Sequence, residues 1–260
     1  MFLCKLVSLC LCASLTTSCV AVDAVYAVPE NAPVEVVVNP LVEILELEQH
    51  FHTPENCPLM SATCIVKSAD GVYTGSGVFI EKDAVMTAAH VASVCVGGSI
   101  MTDFNHPKIK IIGMWTPNSD SVWSGCTRDG DIAILQLECE VEDVNVLDMI
   151  FELNSNYTPN QYDNVFIAGC SVGYKKQSRK GVFLYYGILQ NSPDSVKIWS
   201  SKAMVWYGDS GGPVTVKIND NFYVIAVTSG FDLVQESVVN TSACNVMYYK
   251  TEIEEYLNSF

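Results

Sequence analysis

Three short stretches hold residues able to make or break an acyl bond. The first is Thr87-Ala88-Ala89-His90, which follows the strand-like runs Gly75-Ser76-Gly77-Val78-Phe79-Ile80 and Ala84-Val85-Met86. A histidine at the end of a buried strand has a ring that its neighbours can orient, although a histidine satisfied within a core would read the same way. The second is Asp129-Gly130-Asp131-Ile132-Ala133-Ile134-Leu135. Asp131 leads directly into an apolar run, so its carboxylate loses water and needs a donor. A histidine Nδ1–H is one such donor; an aspartate merely capping the turn is the plainer alternative. The third is Gly208-Asp209-Ser210-Gly211-Gly212-Pro213. Its glycines permit a sharp turn and the close approach of another chain. A serine held there points its hydroxyl outward, and the amides of Gly208 and Ser210 can converge on an oxyanion.

Serine is a poor nucleophile at its own pKa and needs a base, and the base needs an orienting carboxylate. One of each is available, in the chain order His90, Asp131, Ser210. Order separates two readings of the serine motif. Gly208-Asp209-Ser210-Gly211-Gly212 also fits the G-x-S-x-G elbow of α/β-hydrolases, in which the histidine comes last. The histidines here are His50, His52, His90 and His106, and none follows Ser210. The elbow reading fails on that order. The chemistry that remains needs no cofactor and no metal. His50, His52 and Cys57 are the only group with a metal-binding look, and the cysteines form no Cys-x-x-Cys pairs, so a metal enzyme is disfavoured.

The elements that would carry these residues are short. From about residue 60 the chain alternates apolar runs with turn residues: Thr63–Lys67, Gly77–Ile80, Ile109–Trp115, Ile132–Leu137, Val165–Ala168, Val182–Gln190, Val196–Trp199, Pro213–Ile218 and Phe222–Thr228. Many short strands at this spacing predict an all-β barrel or sandwich. The one helical pattern is Glu252–Leu257, with Ile253, Tyr256 and Leu257 on one face.

Composition narrows the partners. The 260 residues carry a formal charge of −15, and the 14 basic residues form no stripe. Such a surface repels phosphate backbones, so no nucleic-acid partner is expected. Residues 1–24 have the plan of a secretory signal, a lysine then a ten-residue apolar run, with cleavage after Ala24 or after Ala27. Leu15-Thr16-Thr17-Ser18-Cys19 also resembles a bacterial lipobox, which would put a lipid on Cys19 and attach the chain to a membrane. It departs from that pattern in having Thr16 three residues before the cysteine. Residues 25–58 read as an acidic extension, since no lysine or arginine lies between Lys5 and Lys67. Export predicts disulfides among the seven cysteines beyond residue 24, with one thiol left over.

Taken together, the three motifs resemble the chymotrypsin/trypsin-like serine peptidases, over about residues 60–260. Gly75-Ser76-Gly77, Thr-Ala-Ala-His, Asp-Ile-Ala-Ile-Leu and Gly-Asp-Ser-Gly-Gly-Pro occur in the family's order. Val227-Thr228-Ser229-Gly230 resembles its pocket-lining strand. The resemblance implies two six-stranded antiparallel β-barrels, residues 59–150 and 151–260, the second ending in the C-terminal helix. It also implies His90, Asp131 and Ser210 as the triad and the Gly208 and Ser210 amides as the oxyanion hole. Met204, Thr228, Ser229 and Gly230 would bind substrate. The protein is then expected to be an exported, monomeric serine endopeptidase acting on proteins or peptides.

Three departures qualify this expectation. No Ile-Val-Gly-Gly start exists to supply the amino terminus that pairs with the aspartate before the serine in the family's zymogens. Asp209 must therefore find another partner, a cut of another kind must occur, or the enzyme is active uncut, which is the favoured case. Met204 at the base of the pocket does not favour cationic side chains. Val91, not cysteine, follows His90, which points to a microbial-type relative. The rival readings are an inactive binding module on the same fold and an esterase or acyl transferase using the same triad.

Overall fold

The computed structural model describes residues 57–102, 107–117, 130–158, 163–171, 177–189, 192–199, 205, 207–234 and 237–259. The expected export signal with Cys19, most of the expected acidic extension, His50, His52, Met204 and Cys126 lie outside the described residues.

Among the described residues twelve strands form two antiparallel sheets. A short helix α1 (Pro58–Ala62) leads into β1 (Thr63–Lys67), β2 (Thr74–Phe79) and β3 (Ala84–Thr87). Helix α2 (Ala89–Cys95) follows, then β4 (Ser99–Met101), β5 (Ile109–Trp115) and β6 (Ala133–Leu137). These six strands close into a barrel in the order β1-β2-β3-β6-β5-β4. Helix α3 (Ile150–Leu153) separates them from β7 (Asn164–Gly169), β8 (Gln177–Leu189), β9 (Ser192–Trp199), β10 (Pro213–Ile218), β11 (Asn221–Val234) and β12 (Ser237–Asn245). The second sheet pairs in the order β10-β11-β12-β9-β8-β7, and β7 also pairs with β10. Helix α4 (Lys250–Leu257) ends the chain's described structure.

The runs at Thr63–Lys67, Ile109–Trp115 and Pro213–Ile218 are strands with the bounds their apolar patterns give. Helices α1, α2 and α3 are too short to show a helical period, and each lacks a conventional side-chain cap in the sequence. Strands β1 to β3 are buried on nearly every residue rather than on alternate ones. Their inner faces fill the barrel while their outer faces are covered by neighbouring elements, so alternation disappears.

The two sheets share one apolar core, which runs from Phe79 and Met86 to Val214 and Ala226. The connecting segment is hydrogen-bonded to both. The Leu147 amide donates to Phe79 (3.0 Å), and Val224 of β11 donates to Asp148 (3.0 Å). Helix α4 turns back onto the first barrel, where Tyr256 stacks on Trp115 at 5.4 Å. Phe79 is fully buried within this core. Phe79→Ala is expected to cost about 3–5 kcal/mol of stability, because the cavity adds to the lost transfer energy. Urea denaturation of the two chains checks this; a midpoint unchanged at equal slope would mean that the core tolerates the cavity.

The expected disulfides do not form among the described residues. Cys64 and Cys170 come near each other, but the Cys170 thiol donates to the Cys64 carbonyl at 3.6 Å. The two sulfurs belong to different apolar clusters, Cys64 with Val78 and Cys170 with Ile65 and Met101. These thiols serve as small core side chains, which is a common use of buried cysteine.

Candidate active site

Register explains why His90 and Asp131 meet. Strands β3 and β6 pair antiparallel with Thr87 opposite Ala133 and Met86 opposite Ile134. The residues just after Thr87 and just before Ala133 therefore leave the same end of two adjacent strands. After Thr87 the chain turns into α2, which places His90 in its first turn. Before Ala133 the chain emerges from a turn at Gly130, which has φ +71°. The His90 Nδ1 lies 3.0 and 2.9 Å from the two carboxylate oxygens of Asp131, and the His90 backbone N–H donates to one of them at 3.0 Å.

Asp131 has a third donor, the hydroxyl of Ser229. A bulge delivers it. On β11, Thr228 pairs with Ala243 of β12 and Gly230 pairs with Ser242, so Ser229 is an extra residue between consecutive pairs. Such a bulge re-aims the side chain of the unpaired residue. Burial alone would push the Asp131 carboxyl up. The hydrogen bond and charge of His90, with the Ser229 hydroxyl, outweigh it and hold the carboxyl below its ordinary value of 3.8. Asp131 is therefore a carboxylate at neutral pH and only 6% exposed.

Ser210 arrives from the other sheet. Pro213 of β10 pairs with Val227 of β11, so the 208–212 turn and Thr228–Gly230 leave one end of that pair together. The turn requires glycine at two places: Gly208 has φ +93° and Gly211 has φ +88°. Gly211 also lies against Thr87, Ala88 and Ser76, so closely that a Cβ there would collide with the Thr87 hydroxyl and the Ser76 carbonyl. The Ser76 amide donates to the Ser210 carbonyl at 2.8 Å, and Gly75 sits between that carbonyl and the side chain of Val91. The Ser210 turn is thus docked on the strand ends that carry His90. Ser210 is half-buried. Its hydroxyl makes no hydrogen bond among the described residues, whereas His90, Asp131 and Ser229 are joined directly.

The remaining sequence candidates divide. The Thr228 amide donates to Gly212 (2.9 Å) and its carbonyl accepts from Gly211 (2.7 Å), so its backbone is occupied by the turn itself. Gly230 has open space where a side chain would stand. Gly208 and Ser210 lie on the turn, and Met204 is outside the described residues. Asp209 is fully buried, and the Ser171 hydroxyl lies 3.0 and 2.9 Å from its two oxygens. Sequence reasoning missed Ser171, for which no local signal existed. It also missed the part played by Ser76, whose hydroxyl donates to the Gly208 carbonyl at 2.6 Å and accepts from the Cys170 amide at 2.8 Å. Cys95 at the end of α2 is no rival nucleophile, because burial pushes its thiol up to about 11. Among the described residues no cluster of histidine, cysteine, aspartate and glutamate could hold a metal.

The model of the trypsin-like peptidase domain matches residues 75–227, more than half of the chain. The chain belongs to that family. The matched span of this trypsin-like peptidase domain opens at Gly75 and contains His90, Asp131 and Ser210. Among solved structures, the domain is similar to the scabies mite inactivated protease paralogue S-I1, with a TM-score of 0.59 and 15% identity over 80% of this chain and 99% of that one. That likeness concerns the fold. No curated protein matches the chain.

Proposed function

We propose that this trypsin-like peptidase domain is a serine endopeptidase, cleaving peptide bonds through an acyl-enzyme with His90, Asp131 and Ser210 as its triad. The observation that carries the reading is the buried Asp131 carboxylate, fixed by the His90 ring, the His90 amide and Ser229. A carboxylate that takes Nδ1–H holds the imidazole in one tautomer and leaves Nε2 as the basic nitrogen. In this reading the Ser210 hydroxyl meets that nitrogen, a contact that commonly tightens only when substrate binds. Its oxygen then attacks the scissile carbonyl as its proton passes to Nε2. The amides of Gly208 and Ser210 bind the oxyanion, each worth roughly 3–4 kcal/mol of barrier. The same proton goes to the departing amine, the acyl group stays on Ser210, and a water activated by His90 releases it.

The cyclic strand order of the second sheet is that of a second barrel, and the substrate groove would lie between the two, divided near residue 150. Ser229 and Gly230 would offer main chain to an extended substrate, and the family resemblance would give Met204 to the base of an apolar side-chain pocket. In this reading residues 1–24 direct export, residues 25–58 are an extension, and the enzyme works as a secreted or lipid-anchored monomer on proteins or peptides, without nucleic acid or cofactor.

A fluorophosphonate probe tests this. The full chain is expected to take up one equivalent, and Ser210→Ala none. Peptide and ester substrates with product analysis then separate hydrolysis from acyl transfer. Folded protein that stays unlabelled would instead be an inactive binding module.

A further inference from the structure

The mechanism above uses Ser210 and two amides of its turn but leaves unexplained a buried charge beside them. Asp209 is fully buried directly before the nucleophile. A carboxylate in that position is costly unless donors meet it, and its placement constrains the turn that carries it. One such donor is Ser171, just beyond β7, whose hydroxyl is shared between both Asp209 oxygens at 3.0 and 2.9 Å. The fit is close: a Cβ on Gly169 would stand 2.5 Å from the Asp209 Oδ1, and one on Gly212 would collide with the Ala168 carbonyl. The neighbouring residue, Cys170, reaches the same turn by a second route. Its amide donates to the Ser76 hydroxyl (2.8 Å), which donates to the Gly208 carbonyl (2.6 Å). Two consecutive residues after β7 thus grip two consecutive residues of the turn. The Gly212 amide closes it from within on the Asp209 carbonyl at 2.9 Å.

We propose that Ser171 is a positioning residue: by gripping the Asp209 carboxylate it fixes the Gly208-Asp209-Ser210 turn with its amides converged on the oxyanion. This rests on the serine-hydrolase reading of the same site. The grip acts on kcat more than on substrate affinity, because the oxyanion exists only after attack.

The test is Ser171→Ala in the full chain, with active sites counted by fluorophosphonate uptake. Per active site, kcat is expected to fall about ten- to a hundredfold, the range for losing a hydrogen bond to a charged group. KM is expected to change less than about threefold, the pattern for an interaction made in the transition state. Ser171→Thr keeps the hydroxyl and is expected to restore most of the rate. Ser171→Cys, similar in size with a weaker donor, replaces the alanine variant if that one does not fold. In an Asp209→Asn background the alanine change should cost little more, since the two act as one unit. A wild-type kcat per active site in folded Ser171→Ala, or an equal cost in the Asp209→Asn background, would overturn the inference while leaving Ser210-dependent labelling intact. Wild-type chain that takes up no probe would overturn the underlying reading instead.

Discussion

Replacing His90 with alanine is expected to lower kcat by about a millionfold while the chain stays folded. The size follows from the division of labour in the proposed mechanism. Without a base at Nε2, the Ser210 hydroxyl attacks as a neutral alcohol, and nothing returns a proton to the leaving amine. The fold survives because His90 is on a short helix at the rim, and its side chain is 24% exposed. Asp131 also keeps two donors after the change, the backbone N–H of residue 90 and the Ser229 hydroxyl. A steady-state assay beside a thermal melt checks both halves. A variant that retained the wild-type rate would remove His90 from the chemistry.

Asp131→Asn is the second large effect, about ten-thousandfold in kcat at neutral pH. The asparagine has the same shape, but its NH₂ can present a donor to Nδ1. The ring then accepts at Nδ1, carries its proton on Nε2, and cannot receive the serine's proton. The stability effect has a definite pH dependence. The Asp131 carboxyl is held below 3.8 in the folded chain. Its contribution to stability is therefore fully present above pH 3.8 and fades as pH falls through the lower folded value. Wild type and Asp131→Asn should differ in unfolding free energy at pH 6–8 and approach each other below that point, as read by denaturant titration at several pH values. A constant difference across the acid range would mean that this carboxylate is not specially stabilised by folding. An asparagine variant with near-normal turnover would remove Asp131 from the triad.

Ser229 shows where a sequence motif understates a residue. Val227-Thr228-Ser229-Gly230 marks a strand beside a groove, and substrate pairing is what a strand there suggests. The side chain also serves the carboxylate of the other sheet, because a bulge places Ser229 between two ladder pairs. Thr228 likewise spends its amide and carbonyl on Gly212 and Gly211. Neither outcome is encoded in the four residues alone. Both depend on which strand lies next to β11 and in what register.

The sequence by itself determined the parts that depend on local chemistry. Asp131 running into Ile132-Ala133-Ile134-Leu135 has to lose water. A turn carrying Gly208 and Gly211 has to use left-handed backbone, and both have positive φ. The short apolar runs at Ile109–Trp115 and Pro213–Ile218, bounded by turn residues, made those segments strands. Tertiary structure alone decided the contacts between distant residues. Ser171 and Asp209 are 38 positions apart, and Ser76 and Gly208 are 132 apart. Hydroxyls of this kind carry no periodicity and no charge, so nothing marks them in the chain. Their roles are set by strand order and register, which fix the neighbours of each buried polar group only once the whole core has formed.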